Sequence, residues 1–174
     1  MSNKILVVGT PRSGTSWVMQ TLFHLHIPIF GIPNPANRDP SMQPNNKPFW
    51  EHPSALSGNL SCLGNSYCAI KVLVESAIKK VTLDPTDKVI ICNRDVDKVA
   101  ASMVTCIGRM NHSQHVERIN KHKIGLMEWV GDTPYILTDI DWARDNKIEA
   151  ITAIKEFVGS MQDITDAIKN LISY

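Results

Sequence analysis

A three-layer α/β/α domain with a mainly parallel sheet is the fold this sequence predicts, and three observations carry that expectation. Short runs of β-branched residues alternate with stretches of helical periodicity. Such alternation gives parallel strands joined by helices that cover both faces of the sheet. The strand-like runs are apolar at successive positions, the pattern of strands buried on both sides. The first run ends in a glycine-rich turn that leads straight into a helix.

Taken in order, Lys4 to Val8 reads as the first buried strand, ended by Gly9. Residues 15–26 read as a helix, with Val18, Leu22 and Leu25 on one face. Residues 27–30 suit a short strand. Residues 31–50 change character: Pro33, Pro35, Pro40, Pro44 and Pro48 are interleaved with asparagines. This loop exceeds what a connector needs, so it reads as functional or mobile. Pro53 suits the first turn of a helix running to about residue 64. Tyr67 to Val74 is a second buried strand and Val89 to Cys92 a third. Val96, Val99, Met103 and Ile107 mark the next helix, and residues 112–128 read as a polar one. Tyr135 to Thr138 is a further strand. One closing helix uses Ile148, Ile151, Ile154 and Phe157, the other Ile164, Ile168, Leu171 and Ile172. Parallel sheets bind ligands beyond the carboxyl ends of their strands, which directs attention to the turns after Val8, Val74, Asn93 and Thr138.

Composition narrows the functions open to such a domain. The 174 residues suit one domain, expected to span 1–174, and 43% hydrophobic content supports a real core. Lys+Arg at 18 against Asp+Glu at 17 leaves a net charge of +1, which excludes the basic footprint of a general nucleic-acid binder. One local anion site remains compatible with that balance. No apolar run approaches the ~20 residues of a membrane helix. The start of the chain lacks a signal-peptide pattern, so a cytoplasmic protein without a membrane partner is expected. Cys62, Cys68, Cys92 and Cys106 show no C-x-x-C spacing and read as reduced, packed thiols, not a zinc site or disulfide framework.

The turn after the first strand is Gly9-Thr10-Pro11-Arg12-Ser13-Gly14-Thr15-Ser16-Trp17. Gly9, four residues, Gly14 and a hydroxyl at Ser16 give the spacing of a P-loop. Its glycines let the backbone curl until successive N–H groups point inward, and the following helix adds its positive end. A multiply charged oxyanion is the guest such a cup selects. A nucleotide triphosphatase has Lys immediately after the second glycine, where this chain has Thr15. The loop's one cation is Arg12, so the anion's charge is met from the crest of the loop. The bland alternative is a glycine-rich turn with an incidental arginine.

The loop resembles the 5'-phosphosulfate-binding loop of sulfotransferases that use 3'-phosphoadenosine 5'-phosphosulfate (PAPS). That family reads Pro-(Lys/Arg)-Ser-Gly-Thr-(Ser/Thr)-Trp, and Pro11, Arg12, Ser13, Gly14, Thr15, Ser16 and Trp17 match throughout. The resemblance implies a P-loop NTPase-like fold and cofactor binding by these seven residues. It implies that Trp17 stacks on adenine, whereas a Trp in a first helical turn is equally a core residue.

A second motif follows the third strand. Asn93-Arg94-Asp95 places an arginine at a strand's carboxyl end, with Ser102 eight residues after Arg94. Alone, Arg94 paired with Asp95 or Asp97 on the surface explains it as well. In the resembled family, Arg and a Ser at that spacing bind the cofactor's 3'-phosphate, which implies that role for Arg94 and Ser102. Asp97 fits the family's Arg-Asp-Pro-x-Asp segment, and Val96 stands where it has Pro.

Asn46-Lys47-Pro48-Phe49-Trp50-Glu51-His52 resembles an Asn-x-(Lys/Arg)-Gly-(Phe/Tyr)-Trp-Glu segment of bacterial members, with Pro48 in place of Gly. Glu51 and His52 are the nearest acid–base candidates. A glutamate favoured at a helix start explains Glu51 almost as well. Lys71 lies where the family often has a Lys, and the family's catalytic His two residues later is here Leu73. Glu75 is the third candidate base, after Glu51 and His52. His112, His115, Arg118, Lys121, His122 and Lys123 crowd one segment that reads as a solvated basic face, with no ligand set that would hold a metal.

The resemblance implies metal-free sulfuryl transfer from PAPS, leaving PAP, to a hydroxyl or amine on a small molecule or carbohydrate. Arg12 and Lys71 would serve the chemistry with Glu51 or His52 as base. Two alternatives stay open. A P-loop kinase would hold Mg²⁺ through Ser16 with Asp95 or Asp139, and a non-catalytic module would bind PAP or a nucleotide alone. The family's late Arg-Lys-Gly cofactor loop has no counterpart here. Either the two motifs suffice, a neighbouring subunit of a homodimer helps, or activity is lost.

Overall fold

The computed structural model describes residues 4–31, 52–56, 58–63, 66–108 and 110–171. The Pro/Asn-rich stretch 32–50 and Glu51 lie outside the described residues.

Among the described residues five strands form one parallel sheet: β1 (Ile5–Gly9), β2 (Ile29–Phe30), β3 (Ala69–Leu73), β4 (Lys88–Asn93) and β5 (Tyr135–Asp139), in the order β2-β3-β1-β4-β5. Adjacent parallel strands demand long crossovers, and the helices supply them. These are α1 (Thr15–His24), α2 (Pro53–Leu56), α3 (Val74–Lys80), α4 (Val96–Ile107), α5 (His112–Val130), α6 (Ile140–Asp145), α7 (Lys147–Val158) and α8 (Thr165–Leu171).

Strand alternation divides the core in two. Ile5, Val7, Ala69 and Ile90 face α1, α7 and α8, meeting Val18, Leu22, Ile151, Ile154 and Leu171. Leu6, Val8, Ile70, Val72 and Ile91 face the opposite layer, meeting Ala77 of α3 and Leu126 and Val130 of α5. Because both faces are covered, β1 is buried along its whole length. The three-layer expectation is the observed architecture.

Several local expectations change. The helix expected from Pro53 to about residue 64 ends at Leu56, followed by a 3₁₀ turn at Ser61–Leu63. Gly58, at φ +79°, breaks it: a Cβ there would stand 2.9 Å from both Lys80 Cβ and Ser76 O. The apolar run through Val74 hides a switch from strand to helix, and α3 begins at that residue. Ile148, expected in the core, is 55% exposed. The segment from His112 is not wholly solvated. Its helix starts with a capping box between Asn111 and Gln114, and His115 is buried on its inner side.

The strand order puts β1 between β3 and β4, where the chain crosses from one side of the sheet to the other. Doubly wound sheets form their ligand crevice at such a reversal. Val8 pairs with Ile91, so the loops after β1 and β4 leave the sheet abreast.

Candidate functional site

The loop after β1 owes its shape to two backbone reversals. Arg12 sits at φ +70° and Gly14 at φ +92°, both left-handed. Gly14 allows this without a Cβ, whereas Arg12 carries a strain on the order of 1 kcal/mol. A Cβ on Gly14 would also lie 2.5 Å from Ile140 Cγ1. At Gly9 an added Cβ would collide with Ser13 Oγ and come within 3.0 Å of Thr15 Cγ2. The loop is therefore packed on both flanks down to its glycines.

Helix α1 starts at this loop with no side-chain cap, so its first N–H groups keep their donor capacity for a guest. Ser13 Oγ is buried and has no hydrogen-bond partner among the described residues. A buried hydroxyl without a partner is costly unless something completes it. Amides, hydroxyl and positive helix end all select the same chemistry, a bound oxyanion.

Arg12, Arg94 and Lys71 bring cationic side chains to the loop. Arg12 Nε donates to Ser102 Oγ at 2.9 Å, linking the loop crest to α4. Arg94 Nη1 donates to the carbonyl oxygen of Arg12 at 3.4 Å, and Arg94 Nε pairs with Asp141 Oδ1 at 3.1 Å. Lys71, buried within β3, donates from Nζ to Ser16 Oγ at 3.3 Å. Arg12, Arg94 and Ser102, drawn from two separate sequence motifs, thus meet at one place. Arg94 and Ser102 do so through Arg12.

Asp141 is the acidic partner that sequence reading missed. It holds Arg94 on one oxygen and Lys98 Nζ on the other at 3.1 Å. Slight burial works against its charge, but the hydrogen bonds and charges of Lys98 and Arg94 win and hold its pKa below the usual aspartate value. Asp95 and Asp97, the partners weighed for Arg94, do other work. Asp95 caps α4 by accepting from Lys98 N, and Asp97 lies 3.5 Å from His112 Nε2. Asp139 caps α6 through the amides of Asp141 and Trp142.

The remaining candidates separate. Thr15 is buried in the loop, and Pro11 and Ser16 are partly exposed along it. Trp17 is 3% exposed and packs in the core against the α1 side of the sheet, which is where the structure puts its ring. His52 precedes α2 with its ring 4.6 Å from that of Phe30, and Glu51 lies outside the described residues. Glu75 is tied to Arg118 at 2.6 Å and His122 at 3.3 Å. Its burial raises the carboxyl's pKa, yet Arg118 above all, then His122 and Lys79, bring it below the usual value. Burial pushes the Cys92 thiol far up, against the smaller opposing effect of Lys71, which disfavours its thiolate. Among the described residues no cluster of His, Cys, Asp and Glu would hold a metal, and no helix is long and apolar enough to cross a membrane.

A family model described as "Sulfotransferase domain" matches residues 2–161. Among solved structures the chain is similar to retinol dehydratase in complex with androsterone and the inactive cofactor PAP. Identity is 14% over 98% of this chain and 63% of that one, at a TM-score of 0.63. It is similar also to mouse sulfotransferase SULT7A1 complexed with PAP, at 17% identity, 98% and 64% coverage and a TM-score of 0.61. Sulfotransferase STF1 from Mycobacterium tuberculosis matches at 12% identity, 99% and 71% coverage and a TM-score of 0.54. At these identities the likeness is one of fold. The chain spans 63% and 64% of the length of the first two. No match was found among curated proteins.

Proposed function

The chain belongs to the sulfotransferase domain family, and from that premise we propose that it transfers a sulfuryl group from PAPS to a hydroxyl or amine of a small molecule. The observation that carries this reading is the meeting of Arg12, Arg94 and Ser102 beside an uncapped helix start. A cofactor with anionic groups at two ends needs two cationic grips facing one side. The orphaned Ser13 hydroxyl fits a 5'-phosphosulfate in the cup. Solved relatives of the same fold are described with PAP bound, which supports the choice of nucleotide.

PAPS supplies, when bound, an activated sulfuryl group on its 5'-phosphate. This chain's residues hold it in place and stabilise charge. Arg12 and the amides of residues 14–16 would neutralise the phosphate oxygen from which the sulfuryl departs. Lys71, through Ser16, adds a buried positive charge beneath the loop. Arg94, braced by Asp141, and Ser102 receive the 3'-phosphate. No metal is assigned a role. The acceptor we favour is a small apolar alcohol, in keeping with the androsterone and retinol named for retinol dehydratase. A single domain working in the cytoplasm is part of the same reading.

Calorimetric titration tests it. PAP is expected to bind the protein without added metal, and ATP with Mg²⁺ is expected to bind far more weakly. Preference for ATP with Mg²⁺ would overturn the proposal in favour of a kinase.

A further inference from the structure

A histidine that the sequence places on a solvated face lies instead at the wall of the phosphate-loop cavity. That cavity, of about 250 Å³, is bounded by Gly9, Thr10 and Ser13 of the loop, Asn93 and Arg94 after β4, and His122 of α5. Val74, Ile119 and Leu126 help to make the rest of its wall apolar. The His122 side chain is 15% exposed, and its Nε2 lies 3.3 Å from Glu75 Oε1. Glu75 stands in the first turn of α3, just beyond the carboxyl end of β3, with its other oxygen on Arg118. A carboxylate can only accept, so Nε2 carries the proton and Nδ1 keeps its lone pair. An imidazole oriented by a carboxylate at the edge of an anion cup has the arrangement of an activated base.

We propose that His122 is the general base for the acceptor and that Glu75 is its positioning residue. The inference rests on the sulfuryl-transfer reading above. His122 Nδ1 takes the acceptor's hydroxyl proton as that oxygen bonds to sulfur. The S–O bond to the 5'-phosphate breaks, and its electron pair remains on a phosphate oxygen beside Arg12 and the loop amides. The acceptor leaves as a sulfate ester, and the imidazolium returns its proton to solvent.

The electrostatics agree. Burial lowers the His122 pKa, Glu75 opposes that fall, and Arg118 and Lys79 add to it, with a net shift downward. That shift favours the neutral ring, the form a base needs. Glu75 and Lys79 of α3 and Arg118 of α5 act on the ring, while Lys123 and Arg94 share the cavity. The same position explains why a chain with Leu73 in place of the family's histidine need not lack a base.

The test compares wild type with H122N, H122A and E75Q, using PAP for binding and PAPS with 2-naphthol for turnover. PAP affinity should stay within a factor of about two in all four proteins, because His122 does not grip the nucleotide. Turnover should fall about 10²-fold or more in H122N, within the range removed with a general base. Added imidazole should restore part of the turnover of H122A, which a purely structural loss would not allow. In the free protein, NMR titration of the His122 ring should show a lower pKa in E75Q, and the acidic limb of kcat/KM should move down with it. Unchanged turnover in H122N, or a His122 ring indifferent to E75Q, overturns the inference. So does wild type that binds PAP but transfers nothing to 2-naphthol, and in each of these cases the cofactor reading still stands. Wild type that fails to bind PAP overturns both.

Discussion

Arg12 Nε and Ser102 Oγ lie 2.9 Å apart, so a hydroxyl on α4 aims the guanidinium of a loop 90 positions earlier in the chain. The bond joins the two grips that the proposed cofactor needs. Arg12→Ala should lower turnover on the order of 10²-fold or more, the usual cost of removing an oxyanion donor. Ser102→Ala should weaken PAP binding by about 10- to 150-fold, since a hydrogen bond involving a charged group contributes about 1.5–3 kcal/mol. Calorimetry and steady-state rates check both. If Arg12→Ala turned over at the wild-type rate, Arg12 would have no place in the site.

Gly14 answers to backbone and packing together. Its φ of +92° and the closeness of Ile140 both exclude a side chain. Gly14→Ala should cost about 2–4 kcal/mol from the combined strain and overpacking, and should abolish PAP binding. Urea midpoints measure the first effect and calorimetry the second. A variant with wild-type stability would mean that the loop does not keep this conformation.

The site was partly readable because its two motifs are local. The spacing from Gly9 to Ser16 and from Arg94 to Ser102 is set by a few consecutive residues, and the turn or helix follows directly. What reads poorly is whatever depends on distant elements. Asp141 meets Arg94 across 47 positions, and nothing near either residue announces the pair. His122 looked solvated because its helix is polar, yet α3 packs against it and supplies Glu75. The start of α3 was hidden because Val74 continues the apolar run of β3, and period alone cannot separate a buried strand from the helix that continues it.

Lys71 is buried within β3, and its Nζ donates to Ser16 Oγ. Removing one partner of a buried polar contact leaves the other unpaired. Lys71→Met should therefore lower the melting temperature and weaken PAP binding by about 10-fold, as loss of a charge-assisted contact does. A thermal scan with and without PAP separates the two effects. Equal PAP-induced stabilisation in variant and wild type would remove Lys71 from the site.

Asp141 should make stability depend on acid in a defined direction. Its folded pKa lies below the ordinary aspartate value because Lys98 and Arg94 outweigh slight burial. A depressed carboxyl binds fewer protons folded than unfolded, so its contribution is complete above the unfolded pKa of about 3.9 and is lost as pH falls through the folded one. Partly exposed pairs are screened by salt, so the effect should shrink as salt rises. Between pH 6 and pH 3 the urea midpoint of wild type should fall further than that of Asp141→Asn, which has no such group to protonate. As Arg94 is one of the two cations held, PAP binding to wild type should loosen over the same acid range, beyond what protonation of the ligand's own phosphates accounts for in the variant. Parallel acid profiles for the two proteins would show that Asp141 does not brace Arg94 in solution.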